Sequence, residues 1–381
     1  MSSSKLKVLT VVGTRPEIIR LSRVIALLDQ TCNHTLVHTG QNYDANLRDI
    51  FFSDLSLRDP DYYLDVDTTT IGHMLGESFQ RLGDVLSDVT PDVLLVLGDT
   101  NSALCALVAK RMKIPVFHME AGNRCFDMNV PEETNRKIVD HFADVNLVYS
   151  EHARRNLLAE GLHSQRIYHT GSPLREVLDF YSESISKSTI LSDLQLQESR
   201  YFVLSLHREE NVDNPARLLG ILEGIQAVAD QYQLPVIATT HPRTKKQLEM
   251  LKWNQPNDRI QFHQPFGYND YVSLQKSSRC TISDSGTISE ESAILGFPAV
   301  TPRDSIERPE ALDTGSIILA GCTRKGIEDS VTTVLDSWDR GVRPPCPADY
   351  EVTNCSERVV NLIVGTSRLL PIWDGLRIDQ P

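Results

Sequence analysis

The sequence predicts an α/β protein with two doubly wound, Rossmann-like domains. Short apolar runs alternate with longer amphipathic patterns along the whole chain, which is typical of parallel sheets covered by helices on both faces. Eleven runs have the character of strands, which is many for one sheet, and the alternation restarts near Tyr201. A chain of 381 residues is long enough to form two such domains, each with its own core.

The order of elements follows from the spacing of apolar residues. The predicted strands are 6–12, 35–39, 93–97, 115–119, 145–149, 167–170, 201–206, 235–239, 260–262, 280–283 and 298–301. The clearest predicted helices are 16–30, 72–88, 102–112, 133–142, 152–160, 215–231 and 286–295.

These elements predict two domains that face each other across a cleft. The polar, helical stretch from Ser172 to Ser199 is the predicted connection between them, so we place the N-terminal domain at 1–171 and the C-terminal domain at 172–354. The tail 355–381 is helical and ends in apolar residues, so we expect it to pack back onto the N-terminal domain. The cleft then lies between the carboxyl ends of the two sheets.

The composition is that of an ordinary soluble protein, with 40% hydrophobic and 23% charged residues. The net charge of −13 argues against nucleic acid and anionic membranes as partners, although one cationic pocket suffices for an anionic small ligand. No apolar stretch has membrane-spanning length, and Arg15 and Glu17 interrupt the first apolar run before a secretory signal could form. The seven cysteines are scattered without a C-x-x-C pair, so we expect reduced thiols in the cytoplasm and no structural zinc.

The segment GTRPE places a cation where a predicted strand ends and a helix begins. Val8 to Val12 predict a short buried strand, and Pro16 suits the first turn of the next helix. Arg15 then lies at the carboxyl end of a strand, where open α/β sheets bind ligands. From this stretch alone, an arginine that pairs with a neighbouring carboxylate is the more common alternative.

Carboxylates occur at three further positions along the same edge of the first predicted sheet. Asp99 and Glu120 follow two of the strands, and Glu132 lies in the first turn of the helix that begins in VPEETNR. Each has a structural alternative, because Asp99 could cap a helix and Glu132 could complement a helix dipole or pair with Arg136. Three carboxylates on one lip of a cleft favour acid–base chemistry.

The second half of the chain supplies histidines at strand ends. His207 follows a predicted strand within HREEN, and His241 follows another within THPR. A histidine beside glutamates raises the question of a metal ion. The segment HREE lacks the helical H-E-x-x-H spacing, however, so we expect no metal site.

The segment DSGTISEE predicts a site for an anion. The preceding strand runs into Ser285, and Gly286 is expected to open a helix. Free N–H groups at a helix start, with a hydroxyl and a glycine that permits close approach, bind phosphate. A diphosphate there would also meet Arg15 and His207, and Glu291 could accept hydrogen bonds from a ribose. The simpler alternative is a serine that only caps the helix.

The order and spacing of eight motifs carry a resemblance to a known family. The motifs are GTRPE, HTGQNYD, GDT, EAGNR, PEETNR, HREEN, DSGTISEE and ERPEAL, and they run through nearly the whole chain. The chain resembles the non-hydrolysing UDP-N-acetylglucosamine 2-epimerases, which have the GT-B fold. The resemblance implies a homodimeric isomerase that acts on a UDP-sugar without a cofactor.

The resemblance also implies roles for individual residues. The implied UDP contacts are Arg15, His207, Ser285, Gly286, Thr287 and Glu291. The implied catalytic groups are Asp99, Glu120, Glu132 and His207. Arg136 and His241 would position the substrate, and Arg20 matches a lysine of the glucosamine enzymes. Gln41 lies in the segment that carries a regulatory nucleotide site in some members.

Two departures from the glucosamine enzymes point to another sugar. Those enzymes read E-A-G-L-R-T-G-D where this chain has EAGNRCFD, and they carry a double glycine in the phosphate loop. In these two segments, and in NRKIVDH and SEHARRNLL, the chain resembles another branch of the family. That branch converts UDP-2-acetamido-2,6-dideoxy-L-talose into UDP-N-acetyl-L-fucosamine for surface polysaccharides. The alternative within the family is conversion of UDP-N-acetylglucosamine into UDP-N-acetylmannosamine.

The resemblance implies a route by elimination. A carboxylate removes the C2 proton while the C1–O bond to UDP breaks, and protonation on the opposite face of the 2-acetamidoglycal with return of UDP gives the epimer. Proton transfer on opposite faces needs at least two acid–base groups, which the carboxylates can supply. Two other classes stay open, a glycosyltransferase of the same fold and a non-enzymatic nucleotide-sugar sensor, although neither would explain three carboxylates near C2.

Overall fold

The computed structural model describes residues 5–40, 52, 55–251, 253 and 255–375. Gln41, in the segment expected to resemble a regulatory site, lies outside the described residues.

The contact pattern divides the chain into two compact units. Unit 1 contains Met1–Arg124, Val130–Asp179 and Glu351–Pro381, and unit 2 contains Cys125–Asn129 and Phe180–Tyr350. Each unit holds a single described sheet in which every strand pairing is parallel.

The sheet of unit 1 has seven described strands in the order β3-β2-β1-β4-β5-β6-β7. The strands are β1 (Lys7–Val12), β2 (Asn33–His38), β3 (Tyr62–Tyr63), β4 (Val93–Leu97), β5 (Val116–Met119), β6 (Val145–Val148) and β7 (Ile167–His169). The helices are α1 (Arg15–Thr31), α2 (Ile71–Val89), α3 (Asn101–Leu104), α4 (Ala106–Arg111), α5 (Pro131–Phe142), α6 (Glu151–Ala159) and α7 (Leu174–Phe180). The strand order reverses between β1 and β4, so the loops that follow these two strands flank the position where such sheets bind ligands.

The sheet of unit 2 has six described strands in the order β10-β9-β8-β11-β12-β13. The strands are β8 (Phe202–Leu206), β9 (Val236–Thr240), β10 (Ile260–His263), β11 (Cys280–Ser283), β12 (Ala299–Thr301) and β13 (Ile318–Leu319). The helices are α8 (Ser182–Ser186), α9 (Ile190–Asp193), α10 (Glu209–Val212), α11 (Pro215–Tyr232), α12 (Pro242–Leu251), α13 (Tyr268–Ser277), α14 (Ile288–Leu295), α15 (Glu310–Asp313) and α16 (Arg324–Asp339). Here the order reverses between β8 and β11, so the loops after these strands hold the equivalent position.

The last two helices, α17 (Cys355–Thr366) and α18 (Leu370–Trp373), belong to unit 1. Helix α17 packs against α1. Glu176 accepts a hydrogen bond from the backbone N–H of Ser356 at 2.8 Å, and Arg358 donates to the carbonyl of Thr170 at 3.2 Å. The end of the described chain is therefore built into the first unit.

The α/β class and all eleven predicted strands are confirmed, with shifts of one or two residues at their ends. The strands β3 and β13 were not predicted, because two residues are too short to carry a period. The predicted helix 102–112 is two short helices, α3 and α4, that meet at Cys105. Among the described residues, no helix is long and apolar enough to cross a membrane.

Candidate active site

The corner between β1 and α1 is built around Glu17. Its Oε2 accepts hydrogen bonds from the backbone N–H groups of Gly13 at 2.7 Å and Thr14 at 2.6 Å, and its Oε1 accepts one from the Thr100 hydroxyl at 2.6 Å. Burial raises the pKa of Glu17 to about 7, although these hydrogen bonds act in the opposite direction. Glu17 therefore ties the loop after β1 to the loop after β4.

Arg15 begins α1 beside this corner and is half-buried. It lies at the carboxyl end of β1, where the sequence analysis places it. The loop before it approaches its neighbours closely, because a Cβ at Gly13 would collide with the hydroxyl groups of Ser102 and Thr39. Only glycine fits at that point without displacing these side chains.

Asp99 follows β4 and is anchored to α5. Nε of Arg136 donates a hydrogen bond to Oδ2 of Asp99 at 2.7 Å, and Nη1 donates to the buried carboxylate of Glu133 at 2.9 Å. The N-cap of α3 is Thr100, so Asp99 is not the helix cap that the sequence left open. Glu132 is half-buried in the first turn of α5, as predicted. Arg136 thus links the Asp99 loop to the helix that carries Glu132.

Glu120 follows β5 in a left-handed backbone conformation. Its φ is +64°, a region that residues other than glycine rarely occupy and that is concentrated at functional sites. The carboxylate is buried and forms an ion pair with Arg20 of α1. The Arg20 guanidinium also lies 5.7 Å from the ring centroid of Tyr149. A Cβ placed on Gly98 would lie 4.0 Å from Cδ of Glu120, so the Asp99 loop and Glu120 are neighbours.

His207 follows β8 and is oriented by Asp284, the residue after β11. Oδ1 of Asp284 lies 3.1 Å from Nδ1 of the ring, and the carboxylate also accepts the backbone N–H groups of His207 at 3.0 Å and Arg208 at 3.1 Å. Burial raises the pKa of Asp284, but the charge and hydrogen bonds of His207 outweigh burial and lower it overall. Because Nδ1 faces Asp284, Nε2 is the nitrogen that the 44% exposed ring can offer to a ligand.

Ser285, Gly286 and Thr287 form a turn before α14. The prediction that Gly286 opens the helix is wrong, because the N–H of Ile288 closes this turn on the carbonyl of Ser285 at 3.4 Å and the helix begins at Ile288. Thr287 holds the N-cap position, and its side chain caps no N–H group of α14. Ser285 is therefore not a simple helix cap, and its hydroxyl oxygen lies 2.9 Å from that of Thr287.

Buried charges lie directly behind this turn. A Cβ on Gly286 would collide with Oε1 of Glu307 and Nη1 of Arg308, so any other residue here would displace these two side chains. Nη1 of Arg308 donates to the Gly286 carbonyl at 2.6 Å, and Arg208 Nη2 lies 3.1 Å from Oε1 of Glu307. The guanidinium group of Arg308 therefore contacts the turn directly, and that of Arg208 pairs with Glu307 beside it.

Two more charged side chains complete this cluster. Nη1 of Arg303 lies 2.8 Å from Oε2 of Glu307, and Nε of Arg308 lies 3.2 Å from Oε2 of Glu290. With Arg208, the cluster contains three guanidinium groups and two carboxylates, and the buried carboxylate of Asp284 adjoins it through the backbone N–H of Arg208. The motif ERPEAL has no predicted role, because Arg208 and Gly286, which contact Glu307 and Arg308, are 99 and 22 residues away in sequence.

Glu291 and His241 both belong to unit 2. Oε2 of Glu291, on the buried side of α14, accepts a hydrogen bond from Nε2 of Gln275 at 2.7 Å. His241 follows β9, and its Nδ1 lies 3.4 Å from the backbone N of Arg243. Because β9 pairs with β8, His241 and His207 leave the sheet at the same edge.

The predicted site residues fall into two sets. Unit 1 contains Arg15, Arg20, Asp99, Glu120, Glu132 and Arg136. Unit 2 contains His207, His241, Ser285, Gly286, Thr287 and Glu291. In the part of the chain that the structure describes, no group of three His, Cys, Asp or Glu side chains could hold a metal ion.

Comparisons with known proteins give these sets a context. The family model described as UDP-N-acetylglucosamine 2-epimerase matches residues 27–364. A UDP-N-acetylglucosamine 2-epimerase structure from Rickettsia bellii is 42% identical, with a TM-score of 0.90 over 97% of this chain and all of the other. The Methanocaldococcus jannaschii enzyme, solved in complex with UDP-GlcNAc and UDP, is 35% identical, with a TM-score of 0.88 over 94% of this chain and 100% of that one.

Two further likenesses are informative. The UDP-2,3-diacetamido-2,3-dideoxy-D-glucuronate 2-epimerase of Pseudomonas aeruginosa is 34% identical over 335 residues, which are 87% of this chain and 92% of that protein. A glycosyltransferase structure from Rickettsia africae is only 10% identical, with a TM-score of 0.52 over 98% of this chain and 100% of the other, and shares the fold alone. The chain has the GT-B fold, and it belongs to the UDP-N-acetylglucosamine 2-epimerase family.

Proposed function

We propose that this protein epimerises C2 of a UDP-2-acetamido sugar by anti elimination and re-addition of UDP. The observation that carries the proposal is the pair of carboxylates at the ends of adjacent strands, Asp99 after β4 and Glu120 after β5. Each is held by an arginine from a different helix, Asp99 by Arg136 and Glu120 by Arg20. Membership of the family supports the same activity.

The reaction needs two proton transfers on opposite faces of C2. In the first half, a carboxylate takes the C2 proton, the C–H electrons form the C1–C2 double bond, and the C1–O bond breaks with its electrons going to UDP. In the second half, a carboxylic acid protonates C2 from the other face while a diphosphate oxygen returns to C1. Asp99, Glu120 and Glu132 are the candidates for these roles, and Arg136 connects Asp99 to the helix that carries Glu132.

Unit 2 is suited to stabilise the leaving group. Negative charge develops on the diphosphate as the C1–O bond breaks, and preorganised donors and cations lower the free energy of that transition state. The hydroxyls of Ser285 and Thr287, Nε2 of His207 and the guanidinium groups behind Gly286 are such groups. We assign the ribose to Glu291 and an additional diphosphate contact to Arg15.

We further propose that the preferred sugar is UDP-2-acetamido-2,6-dideoxy-L-talose. The support is Phe126, which stands where the glucosamine enzymes have glycine. Its side chain is 75% exposed and its φ is +55°, so it does not pack into the core of its own unit. An exposed aromatic ring favours the C5 methyl of a 6-deoxy sugar, whereas a hydroxymethyl group beside it loses hydrogen bonds to water.

Exchange of the C2 proton tests the reaction. Purified protein is incubated with each UDP-sugar in D2O without an acceptor, and the products are analysed by NMR and mass spectrometry. An epimerase places deuterium at C2 in both epimers and releases the glycal only in trace amounts. Transfer of the sugar only after an acceptor is added indicates a glycosyltransferase, and binding without any exchange indicates a sensor.

The substrate proposal has its own measurement. We expect kcat/KM for the 6-deoxy-L-talose substrate to exceed that for UDP-N-acetylglucosamine by roughly 10-fold or more. Replacement of Phe126→Gly should reduce this preference while leaving UDP affinity unchanged. Equal or faster turnover of UDP-N-acetylglucosamine contradicts the fucosamine assignment and leaves the epimerase assignment standing.

A further inference from the structure

His118 is a buried histidine that the proposed mechanism does not use. It lies in β5, two residues before Glu120, and its ring is 1% exposed. Nε2 makes a 2.7 Å hydrogen bond with the carbonyl oxygen of Gly98, the residue before Asp99. Nδ1 lies 2.9 Å from Oδ1 of Asp140, in the last turn of α5. The ring thus contacts the loop after β4 on one side and α5 on the other.

Both partners of the ring accept hydrogen bonds and cannot donate them. The carbonyl oxygen of Gly98 requires a proton on Nε2, and the carboxylate oxygen of Asp140 lies 2.9 Å from Nδ1 as its ion-pair partner. Burial lowers the pKa of His118, but the interaction with Asp140 outweighs burial and raises it. The ring therefore donates a hydrogen bond to the Gly98 carbonyl on one side and pairs with the Asp140 carboxylate on the other.

Asp140 passes this contact on to the loop after β5. Its carboxylate accepts the backbone N–H of Gly122 at 3.2 Å and Nη1 of Arg124 at 2.7 Å. Arg124 is fixed in turn by Glu160, at 2.8 and 2.6 Å. A continuous series of contacts therefore runs from Gly98, through the ring and Asp140, to the segment that follows Glu120.

The two loops joined in this way both have unusual backbones. Gly98 has a φ of +73° and Glu120 a φ of +64°, so the extended backbone conformation of β4 and β5 does not continue through these residues. Left-handed residues persist where the surrounding structure fixes them. The buried bridge through His118 is a contact of that kind on both sides.

We propose that His118 is a positioning residue for epimerisation, because its ring bridges the Gly98–Asp99 loop to Asp140 and so fixes Asp99 relative to Glu120. This inference rests on the proposed function, in which two carboxylates must act on one carbon from opposite faces. A displacement of about 1 Å in such an arrangement costs on the order of 100-fold in rate. The ring makes no described hydrogen bond to the carboxylate of Asp99 or of Glu120, so it acts by fixing the position of the loop.

The test compares His118→Phe with a matched variant, His34→Phe. His34 also lies in the sheet of unit 1 with a buried ring, its Nδ1 2.6 Å from Asp29 and its Nε2 2.8 Å from the hydroxyl of Thr10. It stands near the amino end of β2, at the opposite edge from the predicted site. Both variants lose a histidine–aspartate contact, but only His118→Phe loses the bridge.

We expect His118→Phe to lower kcat by roughly 10- to 100-fold while KM and the Kd for UDP stay within about 3-fold. We expect His34→Phe to lower Tm by about as much as His118→Phe does, but to keep wild-type kcat. His118→Gln should recover part of the lost kcat, because its amide N–H can still donate to the Gly98 carbonyl.

Three outcomes overturn the proposal. They are wild-type kcat in His118→Phe, an equal loss of kcat in His34→Phe at the same Tm, and a loss confined to KM. If His118→Phe does not fold, the kcat and KM of His118→Gln decide in the same way. Absence of C2 deuterium exchange in the wild-type protein is a different result, since it removes the proposed function itself.

Discussion

Oδ1 of Asp284 lies 3.1 Å from the ring nitrogen Nδ1 of His207 and 3.0 Å from its backbone nitrogen. One buried carboxylate therefore fixes both the ring and the main chain at the end of β8. This contact joins the two loops at the point where the strand order of unit 2 reverses. It also determines that Nε2, and not Nδ1, is the nitrogen offered to a ligand.

The variant Asp284→Asn should lower kcat/KM by roughly 10-fold or more, because the carboxylate that holds the His207 ring in its orientation is lost. Isothermal calorimetry with UDP and steady-state kinetics measure the effect. Asp339→Asn is the matched control, since its carboxylate pairs with Arg279 on the exposed surface of the same unit. Wild-type values for Asp284→Asn would mean that the orientation of His207 does not matter.

The carboxylates of unit 1 give a second prediction. Asp99→Asn, Glu120→Gln and Glu132→Gln should each lower kcat by roughly 100-fold or more, the scale of acid–base groups. The Kd for UDP should change little, since we assign these groups to the sugar. The control is Glu77→Gln, which removes a carboxylate from the exposed surface of α2. Near-normal turnover in all three variants would remove them from the mechanism.

Arg15 provides a test of diphosphate binding. Arg15→Ala should weaken UDP binding by about 1.5–3 kcal/mol, because a charge-assisted contact is lost from a partly desolvated position. Calorimetry with UDP alone measures the change. Arg58→Ala serves as control, because Arg58 pairs with Asp29 and Asp61 in the same unit. An unchanged Kd for Arg15→Ala would restrict this residue to a structural role.

Glu17 predicts a dependence of stability on pH. Its pKa is about 7 in the folded protein against an ordinary value of 4.5, so the folded state binds the proton more tightly. The stability that this group contributes is fully present below pH 4.5 and is lost as pH rises through 7, a total change of about 3 kcal/mol. Glu17→Gln should flatten this part of the profile.

Urea unfolding of the wild-type protein and of Glu17→Gln at pH 5 and pH 8 measures the difference. An amide can still accept from Gly13 and Thr14 and donate to the Thr100 hydroxyl, so the variant should keep the fold of the corner. The same pH dependence in both proteins would show that Glu17 does not titrate in this range.

The positions of the candidate site residues were predictable, and their partners were not. Buried parallel strands are continuous apolar runs, and their carboxyl ends share one edge, so Asp99, Glu120 and His207 could be placed from sequence. The partners Arg20 and Asp284 are separated from Glu120 and His207 by 100 and 77 residues. No local pattern encodes such pairs, because they form only when the sheets assemble.

Local backbone geometry is a second feature that could not be predicted from the sequence. Glutamate gives no sign of a positive φ, so the strained conformation at Glu120 was invisible in the sequence. The start of α14 was misplaced because glycine after serine is typical of a helix start, whereas here the buried charges behind Gly286 hold it in a turn. The roles of the site residues stay predictions that the variants above can decide.

The return of the chain from unit 2 to unit 1 has a consequence for biosynthesis. Helix α17 packs against α1 and follows Tyr350, whereas all six strands of the second sheet precede that residue. When Tyr350 of a nascent chain has left the ribosome, all the described strands of the second sheet are therefore available, while α1 still lacks its packing partner α17. Domains generally fold as units during synthesis. The contact between α1 and α17 can therefore form only after the described sheet of unit 2 has been translated, although α1 itself is among the first elements to be translated.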